Sequence, residues 1–259
     1  MSVQRRAGAV IVALVVLAAA LSLVWTPHDP LQADPAVRLQ GSSWAHWMGT
    51  DQFGRDVASR VMAGARLTLV VSLGAVAISA LIGVPLGIWA GMRRGAGRVV
   101  MAGADLLLAF PALLLAIVFT AVFGASVWIV VLAIGIAGIP GFVRVARAGT
   151  LTVMQQDFIL AARISKVPGP VIAWRHVLPN IAPILLTQVS IALALAILAE
   201  AGLSFLGFGA PAPYASWGRM LQASQPYLAT HPHLALWPGL AIAVTVLGFN
   251  LLGARDDRR

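Results

Sequence analysis

Long runs of apolar residues dominate the hydropathy pattern of the chain, and six of them are candidates to cross a bilayer. A spanning helix needs about 20 mostly apolar residues to cross the hydrocarbon core. The six predicted spans run approximately from Ala7 to Trp25, Leu67 to Trp89, Val99 to Phe123, Val127 to Phe142, Ile181 to Leu203 and Leu236 to Leu252. The pattern therefore predicts an all-α, polytopic membrane protein with about six transmembrane helices.

Composition agrees with this class and excludes a soluble globular enzyme. Of the 259 residues, 59% are hydrophobic and 10% are charged, whereas soluble domains carry about 25% charged residues. The segments between the predicted spans are too short for a soluble catalytic domain. We expect one membrane domain over residues 1–259, with the first span and an outer segment in 1–66 and a core bundle in 67–253. The chain has no cysteine, which excludes disulfides and cysteine-ligated metals.

The charge distribution predicts the orientation of the chain. A net charge of +9 would suggest nucleic acid as the partner of a soluble protein, but here the charges flank membrane spans and no nucleic-acid partner is expected. If the N-terminus lies inside, the inner segments collect 13 of the 18 basic residues. The positive-inside rule then places both termini in the cytoplasm. The inner basic residues are Arg5, Arg6, Arg93, Arg94, Arg98, Arg144, Arg147, Arg163, Lys166, Arg175, Arg255, Arg258 and Arg259.

The inner segment from Asp157 to Asn180 is too basic to span the membrane and too apolar for a solvated loop. Helical spacing places five side chains on one face: Met154, Phe158, Ala161, Ala162 and Ser165. Pro168, Gly169 and Pro170 should end this helix, and a second short helix should follow until Leu178-Pro179 turns the chain into the fifth span. Two interpretations remain open: a docking surface for a cytoplasmic partner, or an amphipathic helix lying on membrane lipid.

This segment resembles the cytoplasmic loop of the inner-membrane permease subunits of ATP-binding-cassette (ABC) importers. That loop carries Glu-Ala-Ala, three residues, Gly, and then Leu-Pro. Ala161, Ala162 and the Leu178-Pro179 pair match in register. Leu160 occupies the acidic position and Lys166 the glycine position, so we expect the Pro168 to Pro170 break to replace the usual tight turn.

Three further stretches resemble the "C"-type permease of the dipeptide, oligopeptide and nickel branch of these importers. They are the stretches Gly49 to Leu69, Asp105 to Val118, and Glu200 to Leu221. The first supplies an outer signature that consists of Gly49, Thr50, Asp51, Gly54, Arg55 and Asp56.

The resemblance implies a type I ABC importer fold in a prokaryotic inner membrane. It implies transport of di- or oligopeptides, with nickel or another small solute as the alternative cargo. The implied partners are membrane lipid, a second homologous permease in a heterodimer, two cytoplasmic ATP-binding subunits that hold ATP and Mg, and an extracytoplasmic solute-binding protein. The implied ATPase-coupling residues are Asp157, Phe158, Ala161, Ala162, Arg163, Leu178 and Pro179.

The outer signature also has a physical interpretation. Thr50 or Asp51 can cap a short helix on the outer surface. Asp56 and Arg60 on that helix would form an exposed pair four residues apart, worth about 0.3–0.5 kcal/mol. Such a segment can act as a gate, as a docking platform, or as a plain cap over the outer mouth.

Two acids, Asp105 and Glu200, are the candidates for a functional charge at membrane depth. A charge there costs a few kcal/mol, about 3 on insertion scales. A proton relay is one role, and a polar contact between helices or subunits is the other. Pro111 and Pro140 should kink the third and fourth spans.

The chain itself is not expected to bind ATP, a cofactor or a metal. Its single lysine, Lys166, is preceded by Ser165 and does not form a phosphate-binding loop. His231 and His233 lack a local carboxylate, and His28 and His46 lie far from them in sequence. The rival functions are an ATP-independent secondary transporter that uses Asp105 or Glu200, and a purely structural membrane scaffold.

Overall fold

The computed structural model describes residues 3–209, 211 and 213–254. Within these residues the regular elements are helices, apart from one isolated bridge between Thr50 and Asp56. The helices are α1 (Val3–Leu21), α2 (Val57–Met92), α3 (Arg94–Ala109), α4 (Ala112–Phe123), α5 (Val127–Val153), α6 (Asp157–Ile164), α7 (Gly169–Ile172), α8 (Leu178–Phe205), α9 (Trp217–Ser224) and α10 (His233–Gly253).

The centre of the bundle is the contact between α2 and α5, which is formed by small residues. Three glycines of α2, each four residues apart, face α5: Gly83, Gly87 and Gly91. A Cβ on Gly87 would lie 2.6 Å from the carbonyl oxygen of Val143 and 2.7 Å from the Cβ of Ala146. The two backbones therefore approach closely, as helices do in membranes when small residues repeat every fourth position.

The N-terminal helix packs against the last helix of the chain. Gly8 of α1 lies against the backbone of α10, and Gly248 of α10 lies against Ile11. The Nε of Arg5 donates a 2.9 Å hydrogen bond to the carbonyl oxygen of Ala254. The two ends of the described chain therefore lie at the same end of the bundle. Arg255, Arg258 and Arg259 of the predicted inner tail lie outside the described residues.

The third predicted span is not one straight helix. It is divided into α3 and α4, which meet at Phe110 and Pro111 with a bend of 79° between the helical segments Gly97–Ala109 and Ala112–Phe123. Pro111 lacks an amide hydrogen and disfavours helical geometry at Phe110, which is extended with φ −91° and ψ 124°. The kink expected at Pro111 is thus a complete break. Among the described residues, five helices are long and apolar enough to span a membrane, or six if the bent pair is one span.

The expected turn at Leu178-Pro179 is also corrected by the structure. The chain runs from α7 through a π-helical segment, Ala173–Val177, directly into α8. The amide of Leu178 donates to the carbonyl oxygen of Ala173, five residues back. The wider π turn accommodates Pro179, which cannot donate a helical hydrogen bond. Residues 169–205 therefore form one continuous helical rod.

Two helices extend beyond the apolar runs that predicted them. α2 begins at Val57, ten residues before the predicted Leu67, because the Asp56 side chain caps its N-terminus. α5 continues past Phe142 to Val153 and carries Arg144 and Arg147 in this extension. Hydropathy marks the stretch of a helix that lies in lipid, not where the helix ends.

Candidate coupling surface and cap segment

The helix α6 lies across one end of the bundle, which is the predicted inner end. Ile159 and Ala162 are buried and belong to one apolar cluster with Ile88 of α2, Ala146 of α5 and Ile181 of α8. Phe158, Leu160, Ala161, Arg163 and Ile164 are exposed, as is Asp157 at the N-terminus. α6 is thus buried on one face and exposed on the other.

The predicted stripe of small residues is therefore not a single exposed face. Ala162 is 9% exposed and belongs to the buried side with Ile159, whereas Ala161 belongs to the exposed side. Helical spacing alone does not show which side of such a stripe faces the helix bundle. The exposed face that we call the coupling surface consists of Phe158, Leu160, Ala161, Arg163 and Ile164.

The turn after α6 forms at Lys166, not three residues later. Lys166 has a left-handed backbone with φ 55°. Its amide donates to the carbonyl oxygen of Arg163, and the Val167 amide donates to that of Ala162, both at 2.9–3.0 Å. This pair of bonds is the Schellman motif, which usually has glycine at this position. The tight turn therefore persists without glycine, and Pro168 is the N-cap residue of α7 directly after it.

Lys166→Gly should stabilise the protein. A side chain in the left-handed region costs about 1–2 kcal/mol, part of which is offset by the greater chain entropy of glycine in the unfolded state. We expect a net gain of roughly 0.5–1 kcal/mol, measured as a higher unfolding midpoint of the detergent-solubilised protein. Lys166→Ala is the matched control, because it removes the charge and keeps the Cβ. An equal gain for both variants would show that the charge, not the backbone, is responsible.

At the other end of the bundle, residues 26–56 form what we call the cap segment. Asp51 organises it: its Oδ1 accepts hydrogen bonds from the amides of Phe53 and Arg55, and its Oδ2 accepts one from the Arg55 Nε at 2.7 Å. The Thr50 hydroxyl donates to the carbonyl oxygen of Val37.

Gly49 and Gly54 have positive φ values of 79° and 77°. A Cβ on Gly54 would overlap the carbonyl oxygen of Asp34. The outer signature is thus a compact turn.

The expected exposed pair between Asp56 and Arg60 is wrong. Both residues are buried, and Arg60 faces Asp51, with 3.5 Å between Nε and Oδ2. Asp56 instead caps α2: its Oδ2 accepts hydrogen bonds from the amide and the hydroxyl of Ser59. Because the outer signature leads directly into the long helix α2, Asp56 and Arg60 do not lie on a separate short helix. Their side chains turn toward the cap segment.

The structure also brings together two histidines that are far apart in the sequence. His28 and His46, which are eighteen residues apart in sequence, have ring centroids 4.6 Å apart. Asp56 lies beside both rings. His231 and His233 form a separate pair with centroids 6.0 Å apart.

The two acids that were predicted at membrane depth both contact other helices. Asp105 of α3 accepts a 2.6 Å hydrogen bond from the Arg144 side chain of α5, and both side chains are half-exposed. Glu200 of α8 is buried and accepts hydrogen bonds from the Thr68 hydroxyl of α2 at 3.0 Å and the Ser204 hydroxyl at 2.7 Å. Both contacts agree with the interhelical role that was one of the two alternatives.

A cavity of about 260 Å³ lies between the broken third span and helices α2, α5 and α8. Most of its lining is apolar, and Ser79 and Gln188 contribute polar groups. Gly138 and Gly141 of α5 also line it. Their small size leaves space within the bundle, and no hydropathy pattern marks the positions that line such a space.

Several of the described helices are long and apolar enough to span a membrane, and one predicted span is broken beside an internal cavity. These features define the class of the protein: a helical membrane protein with several spans. Comparison with known proteins gives the family. Residues 83–255 match the family model described as binding-protein-dependent transport system inner membrane component. The chain belongs to this family, which confirms that it is an inner-membrane transport component and not itself an enzyme.

Two relatives extend the match over most of the chain. The dipeptide transport system permease protein DppC of Alkalihalophilus pseudofirmus is 37% identical over 247 residues, which cover 95% of this chain and 81% of that protein. The glutathione transport system permease protein GsiD of Pectobacterium atrosepticum is 40% identical over 215 residues, which cover 83% and 71%.

A solved structure shows the same fold. A chain of the MetNI methionine ABC transporter, in an inward-facing conformation, superposes with a TM-score of 0.64 at 16% sequence identity. The superposition covers 74% of this chain and 92% of that one. The predicted type I ABC importer fold is thereby confirmed.

Proposed function

We propose that this chain is one of two permease subunits of an ABC importer for peptides and forms half of its translocation pathway. The names of the relatives support peptide cargo, since they include a dipeptide permease and a glutathione permease. Nickel or another small solute is the alternative cargo. The cavity beside Ser79 and Gln188 is this chain's share of the pathway, and a second, homologous permease completes it as a heterodimer.

The geometry of α6 is the observation that carries the coupling proposal. Ile159 and Ala162 are buried in a cluster with residues of α2, α5 and α8, whereas Phe158, Ala161 and Arg163 are exposed. A push on this surface is transmitted through α7 and the π-helical segment into α8, because Leu178 and Pro179 lie within a continuous rod. Asp157 at the start of α6 is exposed to the same partner.

The energy comes from partner chains in this proposal. The sequence lacks a lysine-containing phosphate loop, so two ATP-binding subunits hold ATP and Mg and press on the coupling surface. An extracytoplasmic solute-binding protein delivers cargo to the end that carries the cap segment. ATP binding shifts the equilibrium between inward- and outward-open states through its differential contacts with α6.

Charge and chain ends support the orientation, with both termini in the cytoplasm. Arg93, Arg144, Arg147 and Arg163 gather around the end of the bundle that carries α6. Arg5 and Ala254 place the chain ends on one side. In this orientation the whole chain is a single membrane domain, with residues 1–66 as the first span and cap segment and 67–253 as the core bundle.

Co-purification followed by reconstitution tests the proposal. The chain, tagged and extracted from its own membranes in mild detergent, should bring with it a second permease and an ATPase that carries phosphate-binding loops, as identified by mass spectrometry. The complex in liposomes, supplied with the binding protein, should take up labelled dipeptide only with ATP and Mg. Uptake of Ni²⁺ but not dipeptide would select the alternative cargo. ATP-independent transport by the chain alone would overturn the coupling proposal.

A further inference from the structure

Three potential metal ligands meet where the cap segment joins α2: His28, His46 and Asp56. The Nδ1 of His46 lies 3.0 Å from the Oδ1 of Asp56, and the Nδ1 of His28 lies 3.7 Å from the same oxygen. One ligand atom from each residue lies within 4.8 Å of the other two. The three groups converge from three different parts of the sequence.

Backbone hydrogen bonds hold His28 and His46 in place. The His28 amide donates to the Ser59 hydroxyl oxygen at 2.9 Å, which ties residue 28 to the first turn of α2. His46 closes a tight turn, in which its amide donates to the Ser43 hydroxyl and its carbonyl oxygen accepts from the Ser43 amide. The backbone therefore fixes the positions of these residues, and the site does not depend on long flexible side chains.

The two carboxylate oxygens of Asp56 have different partners. Its Oδ2 accepts both hydrogen bonds from Ser59, which leaves Oδ1 facing the two imidazoles. Outer groups that orient a ligating carboxylate in this way are typical of protein metal sites. The side chain of Asp56 is 1% exposed, whereas that of His28 is 44% exposed. One side of the cluster is thus closed by protein and the other is open to solvent.

We infer that His28, His46 and Asp56 bind a divalent transition-metal ion, Zn²⁺ in the first instance. Two imidazole nitrogens and one carboxylate oxygen match the ligand preference of Zn²⁺, while Ca²⁺ and Mg²⁺ prefer oxygen ligands alone. Bonds of about 2.0–2.2 Å in a tetrahedron place ligand atoms roughly 3.4 Å apart. The separations of 3.0 and 3.7 Å to the Asp56 oxygen lie on either side of that value. Water fills the fourth position on the exposed side of His28.

The ion would fasten the cap segment to the bundle. His28 lies near the beginning of the cap segment, His46 lies toward its end, and Asp56 caps the helix that follows. Binding to the folded arrangement and not to the unfolded chain stabilises the folded state. This inference does not depend on the proposed peptide cargo, since the site lies in the cap segment and not in the cavity.

Metal binding to the purified full-length chain tests the inference. The protein carries a tag without histidines, is stripped with a chelator, and is then dialysed against limiting Zn²⁺. We expect about one zinc ion per chain by elemental mass spectrometry, together with a rise in melting temperature on zinc addition. Co²⁺ in place of Zn²⁺ should give the visible absorption bands of a tetrahedral site.

Variants distinguish this site from adventitious binding. His28→Ala removes a half-exposed ligand that is not needed to cap α2, so it should fold normally and lose both the bound zinc and the thermal shift. His46→Ala should do the same. His231→Ala alters the other histidine pair and should keep both. A wild-type protein that binds no zinc, or zinc that persists in His28→Ala and His46→Ala, would overturn the inference.

Discussion

Gly87→Leu is expected to prevent the bundle from assembling. A Cβ added at this position would lie 2.6 Å from the carbonyl oxygen of Val143, which belongs to the α5 backbone and cannot rotate away. Over-packing typically costs about 1–3 kcal/mol when side chains can adjust. Here two helices must separate along the contact that also contains Gly83 and Gly91, so the loss should exceed that range.

The measurement is the fraction of protein that elutes as a single species in detergent, followed by thermal unfolding of that fraction. Gly103→Leu is the matched control, because it lies in the middle of α3 with no atom within 4 Å of an added Cβ. The control should express and unfold like the wild type, since leucine also favours a helix more than glycine does. Normal elution and stability of Gly87→Leu would contradict the close contact between α2 and α5.

The sequence contained a signal for this contact. Gly83, Gly87 and Gly91 repeat every four residues inside an apolar run, which is the spacing of small residues that lets membrane helices approach. Hydropathy locates the spans because lipid demands apolar side chains, and each predicted span corresponds to one or more helices. It does not distinguish the side of a helix that meets another helix from the side that meets lipid, since both are apolar.

The sequence did not predict which polar side chains contact each other when they lie far apart along the chain. Asp56 has Arg60 as a local candidate, yet it contacts His46, ten residues earlier, and Arg60 faces Asp51. Glu200 reaches Thr68 across 132 positions. Such pairs depend on how elements pack, and nothing in the local spacing encodes them. Lys166 shows the same limit at short range, because two backbone hydrogen bonds force a conformation that its side chain disfavours.

Ala161→Trp should sharply reduce ATP-driven uptake while the protein remains folded. Ala161 is exposed on the coupling surface, and its neighbours Leu160 and Arg163 are exposed with it. An indole at this position does not enter the bundle, but in the proposed assembly it would hold the partner ATPase away from α6. Coupling free energies between sites typically correspond to about 5- to 150-fold effects, and we expect a loss of uptake within this range in proteoliposomes.

Ala162→Trp, one residue further on, separates damage to coupling from damage to the fold. Ala162 packs with Ile159 against the ends of α2, α5 and α8, so a large side chain there should lower the melting temperature as well as uptake. Ala161→Trp should leave the melting temperature at the wild-type value, because its side chain points away from that core. If both variants lose stability equally, then α6 does not present two distinct faces. If Ala161→Trp retains full uptake, the coupling surface lies elsewhere on the chain, because an added indole at the centre of a close protein contact cannot be neutral.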